Sequence, residues 1–110
     1  MINQSPVVFY ILLVLGIKSS HGYEIMKQVG IYSDGNVHMG PGTLYGAIKR
    51  MLEDALIEEC DGSPTDAFSD TRRKYYCLTV KGRKALSIQL SAMQQTISVA
   101  REHHLLHVHI

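Results

Sequence analysis

The chain has 110 residues, of which 45% are hydrophobic and 19% charged, and its formal net charge is +1. This length fits one folding unit with a modest core and is too short for a catalytic domain joined to a second module. The most apolar stretch, Val7 to Ile17, falls short of the roughly 20 residues that span a bilayer, and Met1 to Pro6 holds no basic residue of the kind that opens a signal peptide. We therefore expect a cytoplasmic globular protein with no membrane association.

The first half of the chain predicts three helices. Val7 to Ile17 is apolar nearly all round, which is typical of a buried helix. A second helix is predicted from His21, with Ser20 as its N-cap, to the residue before Ser33. A turn-forming segment follows, and Pro41 then leads into a third helix. The apolar residues of this third helix recur at helical spacing, and they are Leu44, Ile48, Met51, Leu52 and Ala55.

The second half of the chain predicts a β-hairpin and a long helix. The segments Leu56 to Cys60 and Arg72 to Thr79 favour two antiparallel strands, because Tyr, Leu and Ile suit a pleated surface while Gly and Pro punctuate the connection between them. From Val80 onward a helical pattern returns. It carries a heptad seam of apolar residues, which are Leu86, Leu90, Met93, Ile97 and Ala100.

Taken in order, these elements give a mostly α-helical fold with a small β-hairpin. Three helices followed by a hairpin are typical of the winged helix, a helix-turn-helix variant in which the third helix enters the major groove of DNA and the hairpin reaches the flanking backbone or minor groove. We expect residues 1–79 to form this winged helix DNA-binding domain and residues 80–110 to form a C-terminal dimerisation helix.

Charge is segregated along the chain in a way that fits DNA as a ligand. The segment from Glu53 to Asp70 holds seven acidic residues and no basic one, whereas the segment from Thr71 to Lys84 holds six basic residues and no acidic one. A phosphate backbone would meet the second segment and avoid the first. Double-stranded DNA is therefore the expected partner in spite of the small net charge.

Three segments of the sequence carry a family resemblance. They are HGYEIMKQV (His21 to Val29), GPGTLYGAIKRMLEDALIEE (Gly40 to Glu59) and RRKYYCLTVKGRKAL (Arg72 to Leu86). In this order they resemble the PadR family of bacterial repressors, and in particular its compact branch with one helix after the wing. The resemblance implies a dimer paired through that last helix, repression of genes for detoxification, efflux or stress responses, and in some members release from DNA by a small aromatic or drug-like effector.

The chain departs from the family pattern in the third helix. Gly46 stands where the family often has a bulkier residue or Pro, a change that bears on base contacts. Ala55 replaces a Gly that is common at the end of this helix, so we expect the chain to leave the helix without a residue at positive φ. The chain has no Trp, so an effector pocket lined by tryptophans, as in some relatives, is not carried over.

The predicted DNA contacts lie on the second helix, the third helix and the wing. Thr43 and Tyr45 begin the third helix, where side chains reach base edges and phosphates; the alternatives are a helix cap for Thr43 and a partly buried ring for Tyr45. Lys49 lies one turn further on the same face. Tyr23 matches a family position that touches the DNA backbone, and a core role is its alternative. The full predicted set is Tyr23, Thr43, Leu44, Tyr45, Lys49, Arg72, Arg73 and Lys74.

The apolar seam of the last helix is the predicted dimer and effector surface. Its residues would face a second copy of the chain, and Met93 and Ile97 would line an effector pocket that changes the spacing of the two third helices. A fully packed coiled core is the alternative to a pocket. The modest net charge motivates an alternative from a second class of protein, a winged helix that binds a partner protein through this seam and does not bind DNA.

Other chemistry has little support in the sequence. Cys60 and Cys77 are too few for a disulfide framework or a zinc site and are interpreted as buried thiols. His103 and His107 have the spacing of two ligands on one helix, but no third ligand is evident. The chain contains no nucleophile elbow, metal motif or phosphate-cradling loop, so we expect no enzyme activity, no cofactor and no metal.

Overall fold

The computed structural model describes residues 5–61 and 73–106. In these ranges it contains four helices and a three-stranded antiparallel sheet, so the predicted mostly helical winged helix fold is confirmed. None of the helices in the described ranges is long and apolar enough to cross a membrane. The elements are α1 (Pro6–Ile17), β1 (Ser20–His21), α2 (Gly22–Tyr32), α3 (Pro41–Glu53), β2 (Ile57–Cys60), β3 (Tyr75–Leu78) and α4 (Val80–Glu102).

Helix α1 lies at the centre of the molecule, as its apolar sequence predicts. The Ser5 side chain caps it by accepting a hydrogen bond from the Val8 N–H at 3.2 Å, and Pro6 occupies the first turn. The helix contacts α2, α3, α4 and β3. Its buried side chains meet one apolar face from each neighbouring helix, and the largest fully buried residues of the core include Ile11, Leu12, Ile25, Val29, Leu44, Met51 and Ile57.

Strand β1 is absent from the sequence-based prediction. It has only two residues, pairs antiparallel with β3, and gives the sheet the order β1-β3-β2. Ser20 was the predicted N-cap of α2, and this is wrong: Ser20 is buried in the strand and donates to the Lys18 carbonyl at 3.1 Å. His21 is the cap instead, because its Nδ1 accepts from the Glu24 N–H at 3.3 Å. The start of α2 is therefore joined directly to the wing.

The exit from α3 also differs from the sequence-based expectation. Ala55 has a φ of 58°, in the left-handed region, where an ordinary φ was expected. The Ala55 N–H donates to the Leu52 carbonyl at 3.1 Å and the Leu56 N–H donates to the Met51 carbonyl at 2.9 Å, which is the Schellman pattern of helix termination. The pattern needs a left-handed residue at this position whether or not that residue is glycine, so Ala55 carries the strain.

Replacing Ala55 with glycine should therefore stabilise the protein. An L-residue in the left-handed region costs about 1–2 kcal/mol, and the extra chain entropy of glycine offsets only part of the relief, so we expect Ala55→Gly to raise the free energy of unfolding by about 0.5–1 kcal/mol. Urea denaturation at fixed protein concentration measures it. Ala55→Val should lower the free energy of unfolding, because a β-branched residue fits this φ worse than alanine. Equal effects of the two substitutions would contradict the left-handed conformation of residue 55.

The start of α4 is held tightly against the end of α3. Thr79 caps α4 by accepting from the Gly82 N–H at 3.0 Å, and its hydroxyl donates to the Ala55 carbonyl at 2.6 Å. Lys81 Nζ donates to the Asp54 carbonyl at 2.8 Å, so this lysine satisfies the end of α3. Gly82 approaches the Leu56 backbone so closely that any Cβ added there would overlap the Leu56 carbonyl.

Candidate nucleic-acid interface

Helix α3 has one buried face and one exposed face. Leu44, Ala47, Ile48 and Met51 are buried in the core, while the opposite face presents Thr43, Tyr45, Lys49 and Arg50 to solvent. Gly40 caps the helix without a side-chain hydrogen bond, so Thr43 is not the cap and its cap alternative is removed. The N–H groups of the first turn are then placed to bind an anionic oxygen.

Leu44 does not belong to this exposed face. Its side chain is 0% exposed and lies in the core beside α1 and α2. The sequence-based assignment of Leu44 as a DNA contact is therefore wrong for its side chain, because a residue one position from Thr43 turns by about 100° around the helix and points inward.

Tyr45 spans from α3 to the start of α2. The ring is 50% exposed, and its hydroxyl lies against Gly22, so closely that a Cβ at Gly22 would overlap the hydroxyl oxygen. Tyr23, the next residue of α2, is 68% exposed, which removes the core alternative for its side chain. The two phenols therefore lie on the same side of the helix-turn-helix and both reach solvent.

Three parts of the fold meet in a cleft of about 350 Å³. The start of α2 forms one wall, Tyr45 of α3 forms another, and the wing strand forms the third with Arg73 and Lys74. None of the described residues that line it is acidic, and cationic and phenolic side chains prevail among them. The lining residues are His21, Gly22, Tyr23, Tyr45, Arg73, Lys74 and Tyr76.

His21 organises one side of the cleft, and sequence reasoning missed it. Its ring stacks near Tyr23 at 6.5 Å between centroids and meets Tyr75 edge-on at 5.3 Å. Nδ1 accepts from the Glu24 N–H, and the other ring nitrogen, Nε2, lies 3.1 Å from Arg73 Nη1. The His21 ring therefore links the start of α2 to the cationic end of the wing strand. The sequence carried no capping signal for His21, because histidine is not among the preferred N-cap residues.

Tyr76 forms the floor of the cleft. Burial, then the nearby Glu59 carboxylate and the Tyr45 phenol, raise the pKa of the Tyr76 hydroxyl above its ordinary value. The phenol therefore stays protonated at neutral pH and remains a hydrogen-bond donor.

The remaining predicted contacts are placed as follows. Lys49 is exposed one turn beyond Tyr45, and Arg73 and Lys74 are exposed at the start of the wing strand. Arg72 lies outside the described residues, as does His107 in the histidine tail. Within residues 5–61 and 73–106, no group of three or more His, Cys, Asp or Glu side chains could hold a metal ion.

The second half of helix α4 is exposed to solvent. Leu86 is 8% exposed and packs within its own chain next to Gly16, so its predicted place in the dimer surface is corrected to the core. Further along, the apolar side chains of the seam are uncovered and border a shallow groove with Gln89, Ala92 and Thr96. These exposed seam residues are Leu90, Met93 and Ile97, while Ala100 is half-buried.

The replacement of Gly22 by alanine tests whether this cleft binds DNA. The new Cβ would displace the Tyr45 hydroxyl, which lies at the end of a movable side chain, so we expect the protein to remain folded while its DNA affinity falls by roughly tenfold, a change of about 1.4 kcal/mol. Electrophoretic mobility shift measures it. Gly30→Ala is the control, because it makes the same change in the same helix where a Cβ meets no atom within 4 Å.

Tyr45→Ala completes this test as a double-mutant cycle. In the Tyr45→Ala background, Gly22→Ala should have no further effect on affinity, since the displaced ring is already gone. An equal loss in both backgrounds would mean that Gly22 acts by another route.

The helix-turn-helix, the three-stranded wing and the exposed face of α3 together define a winged helix protein of the kind that regulates transcription. The chain belongs to the PadR-like family of transcriptional regulators, whose profile matches residues 11–88. Members of this family are regulators of transcription and not enzymes.

Solved structures agree with this assignment. The chain is 29% identical to a PadR family transcription regulator from Clostridium difficile, with a TM-score of 0.70 over 90% of this chain and 98% of that one. It is also 29% identical to a transcriptional regulator from Clostridium thermocellum, with a TM-score of 0.65 over 87% of each chain. ZitR from Lactococcus lactis, at 19% identity and a TM-score of 0.71 over 92% of this chain and 60% of that one, shares the fold alone.

A curated protein from Lysinibacillus sphaericus, itself described as uncharacterized, is 30% identical over 70 residues. The match spans 64% of this chain and 62% of that relative's length. It therefore adds sequence similarity and no functional detail.

Proposed function

We propose that the protein is a cytoplasmic, dimeric repressor that binds an inverted-repeat operator in double-stranded DNA. Each α3 enters a major groove, and the two half-sites lie about one helical turn, ~34 Å, apart. The observation that carries the proposal is the cleft in which Tyr23, Tyr45, Arg73 and Lys74 converge beside the exposed face of α3.

The residues of this interface divide into two kinds of contact. Thr43 and Lys49, on the outer face of α3, are placed to read base edges, and lysine suits the O6 and N7 acceptors of guanine. Tyr23, Arg73 and Lys74 surround the cleft and suit phosphates, and Arg72 extends the same basic segment. The His21 ring contacts the Arg73 guanidinium, with Nε2 3.1 Å from Nη1, and this contact helps to hold Arg73 at the cleft. Phosphate contacts fix the register of α3, and α3 supplies the specificity.

The dimer is proposed to form through α4. The exposed seam residues Leu90, Met93 and Ile97 leave an apolar stripe on a helix of 23 residues, and pairing with a second copy would bury this stripe. A small aromatic or drug-like effector in the groove beside Met93 and Ile97 would change the spacing of the two α3 helices and release the operator. A fully packed interface without a pocket remains the competing arrangement.

A charge placed in the seam tests the dimer. We expect Ile97→Glu to raise the dimer dissociation constant at least about 100-fold, because two carboxylates would be buried close together. Sedimentation equilibrium measures it. Val80→Glu is the matched control, since Val80 is 83% exposed at the start of the same helix, where a carboxylate suits the helix dipole. A wild-type monomer at micromolar concentration would overturn the dimer.

The proposal as a whole is tested by binding to DNA from upstream of the protein's own gene, because repressors of this type are often autoregulated. Strongly salt-dependent, sequence-specific binding by a dimer supports it. A protein that binds neither this upstream DNA nor random duplexes would instead be a winged helix protein that binds a partner protein. A thermal shift screen with aromatic acids and cationic drugs addresses the effector, and no stabilisation across a broad panel would count against a pocket.

A further inference from the structure

The two cysteines lie on one face of the wing sheet. The register pairs Cys60 with Tyr75 and Glu58 with Cys77 across β2 and β3. Because side chains alternate along a strand, these four share one face, while the opposite face of the two strands packs against the core. Cys60 and Cys77 are both free and half-buried.

The Cys60 thiol interacts with the Cys77 thiol on this face of the sheet. Burial, then the hydrogen bond and charge interaction with Cys77, raise the pKa of Cys60 to about 12, with further contributions from the carboxylates of Glu58 and Asp61. The Cys77 thiol also donates to the Glu58 carbonyl at 3.8 Å. Both the surrounding carboxylates and the sulfur lone pairs favour a cation at this point.

The strand register decides which chemistry suits the pair. Cys60 and Cys77 are diagonal neighbours, offset by two residues from direct opposition, and such positions lie about 7–8 Å apart. A disulfide needs Cα atoms closer than about 7 Å, so direct bond formation would require the strands to shift. An ion held between the sulfurs lengthens the bridge and relieves this requirement.

We infer that Cys60 and Cys77 form a two-coordinate site for a soft, thiophilic cation, of which Cu⁺ is the representative. Thiolates select such ions, whereas a structural Zn²⁺ requires four ligands, and no cluster of three or more suitable side chains exists within the described residues. On binding, two S–H protons leave and two S–metal bonds form, with no change in oxidation state. The ion joins β2 to β3 at the base of the wing. The site does not depend on DNA binding.

Titration of the reduced, full-length protein with Cu⁺ under anaerobic conditions, in competition with a chromogenic Cu⁺ chelator, tests the site. We expect one ion per chain and the release of two protons per ion. Ag⁺, which is not reduced or oxidised under these conditions, should bind with the same stoichiometry. Cys60→Ser and Cys77→Ser should each weaken binding at least about 100-fold. A variant with both substitutions should retain only the weak background binding of Met and His residues elsewhere in the chain.

Three results would overturn the site. They are an unchanged affinity in either single variant, a stoichiometry of one ion per two chains that points to a bridge between copies, and rapid closure of an intramolecular disulfide by diamide in a protein that fails to bind Ag⁺. Circular dichroism of each variant shows whether a loss of binding reflects unfolding, and Cys77→Ala provides a second substitution if Cys77→Ser does not fold.

Discussion

Replacing Lys49 and Arg73 with alanine together should weaken operator binding on the order of 100-fold or more and flatten its salt dependence. A base contact of the lysine type is worth about 1–3 kcal/mol, and a dimer loses each contact twice. Each phosphate contact contributes about 0.9 to the slope of log K against log salt, so the loss of Arg73 from both subunits should reduce that slope by about 1.8. Mobility shifts at several salt concentrations measure both quantities.

The single variants separate the two roles. Lys49→Ala should reduce affinity for the operator more than affinity for random DNA, because it removes a base contact from α3. Arg73→Ala should reduce both affinities alike, because phosphates carry no sequence information. Arg101→Ala, at the far end of α4, is the control and should leave the slope unchanged. An unchanged slope in Arg73→Ala would contradict the phosphate contact at the cleft.

Replacing Gly82 with alanine should be the most damaging single change to the fold. The added Cβ would overlap the backbone carbonyl of Leu56, which cannot swing aside as the end of a side chain can. Separating the two backbones would break the hydrogen bonds that Thr79 donates to the segment after α3, from its hydroxyl to the Ala55 carbonyl and from its N–H to the Leu56 carbonyl. We expect the free energy of unfolding to fall by about 3 kcal/mol or more and Tm to fall by about 12 °C or more.

Gly30→Ala controls for the change of residue type. Gly30 lies inside α2 with no atom within 4 Å of an added Cβ, so alanine there should stabilise the protein by about 0.5–1 kcal/mol through helix propensity. Both variants are compared with the wild type at equal protomer concentration, because any dimer makes Tm concentration-dependent. If Gly82→Ala melts as Gly30→Ala does, the close contact between α4 and Leu56 is incorrect.

Long periodic patterns allowed most of the fold to be predicted from the sequence. The central position of α1 follows from its apolar run, and the two faces of α3 follow from the three-and-four spacing of its apolar residues. The exposed position of Lys49 follows from the same spacing. These predictions succeed because one helix face must be buried, which requires no knowledge of the partner.

The features that were not predicted from the sequence share a different cause, because each of them depends on contacts between distant segments of the chain. Strand β1 has two residues and exists only because β3 lies beside it. Ala55 takes a positive φ because the α3 exit must bring Leu56 to the start of α4. Leu86 fits the heptad seam by its spacing, yet it packs against Gly16 of its own chain because α4 contacts α1.

The sequence by itself determined the class of this protein, namely three helices, a wing and a long last helix with basic residues gathered near the wing, because periodicity and charge order are local properties of the chain. Only the tertiary structure decided which side chains meet. His21 and Arg73 lie 52 positions apart in the chain, and the β1–β3 pairing brings them to 3.1 Å beside Tyr45. The cleft, and with it the proposed phosphate contact, arises from long-range strand pairing that no local sequence pattern encodes.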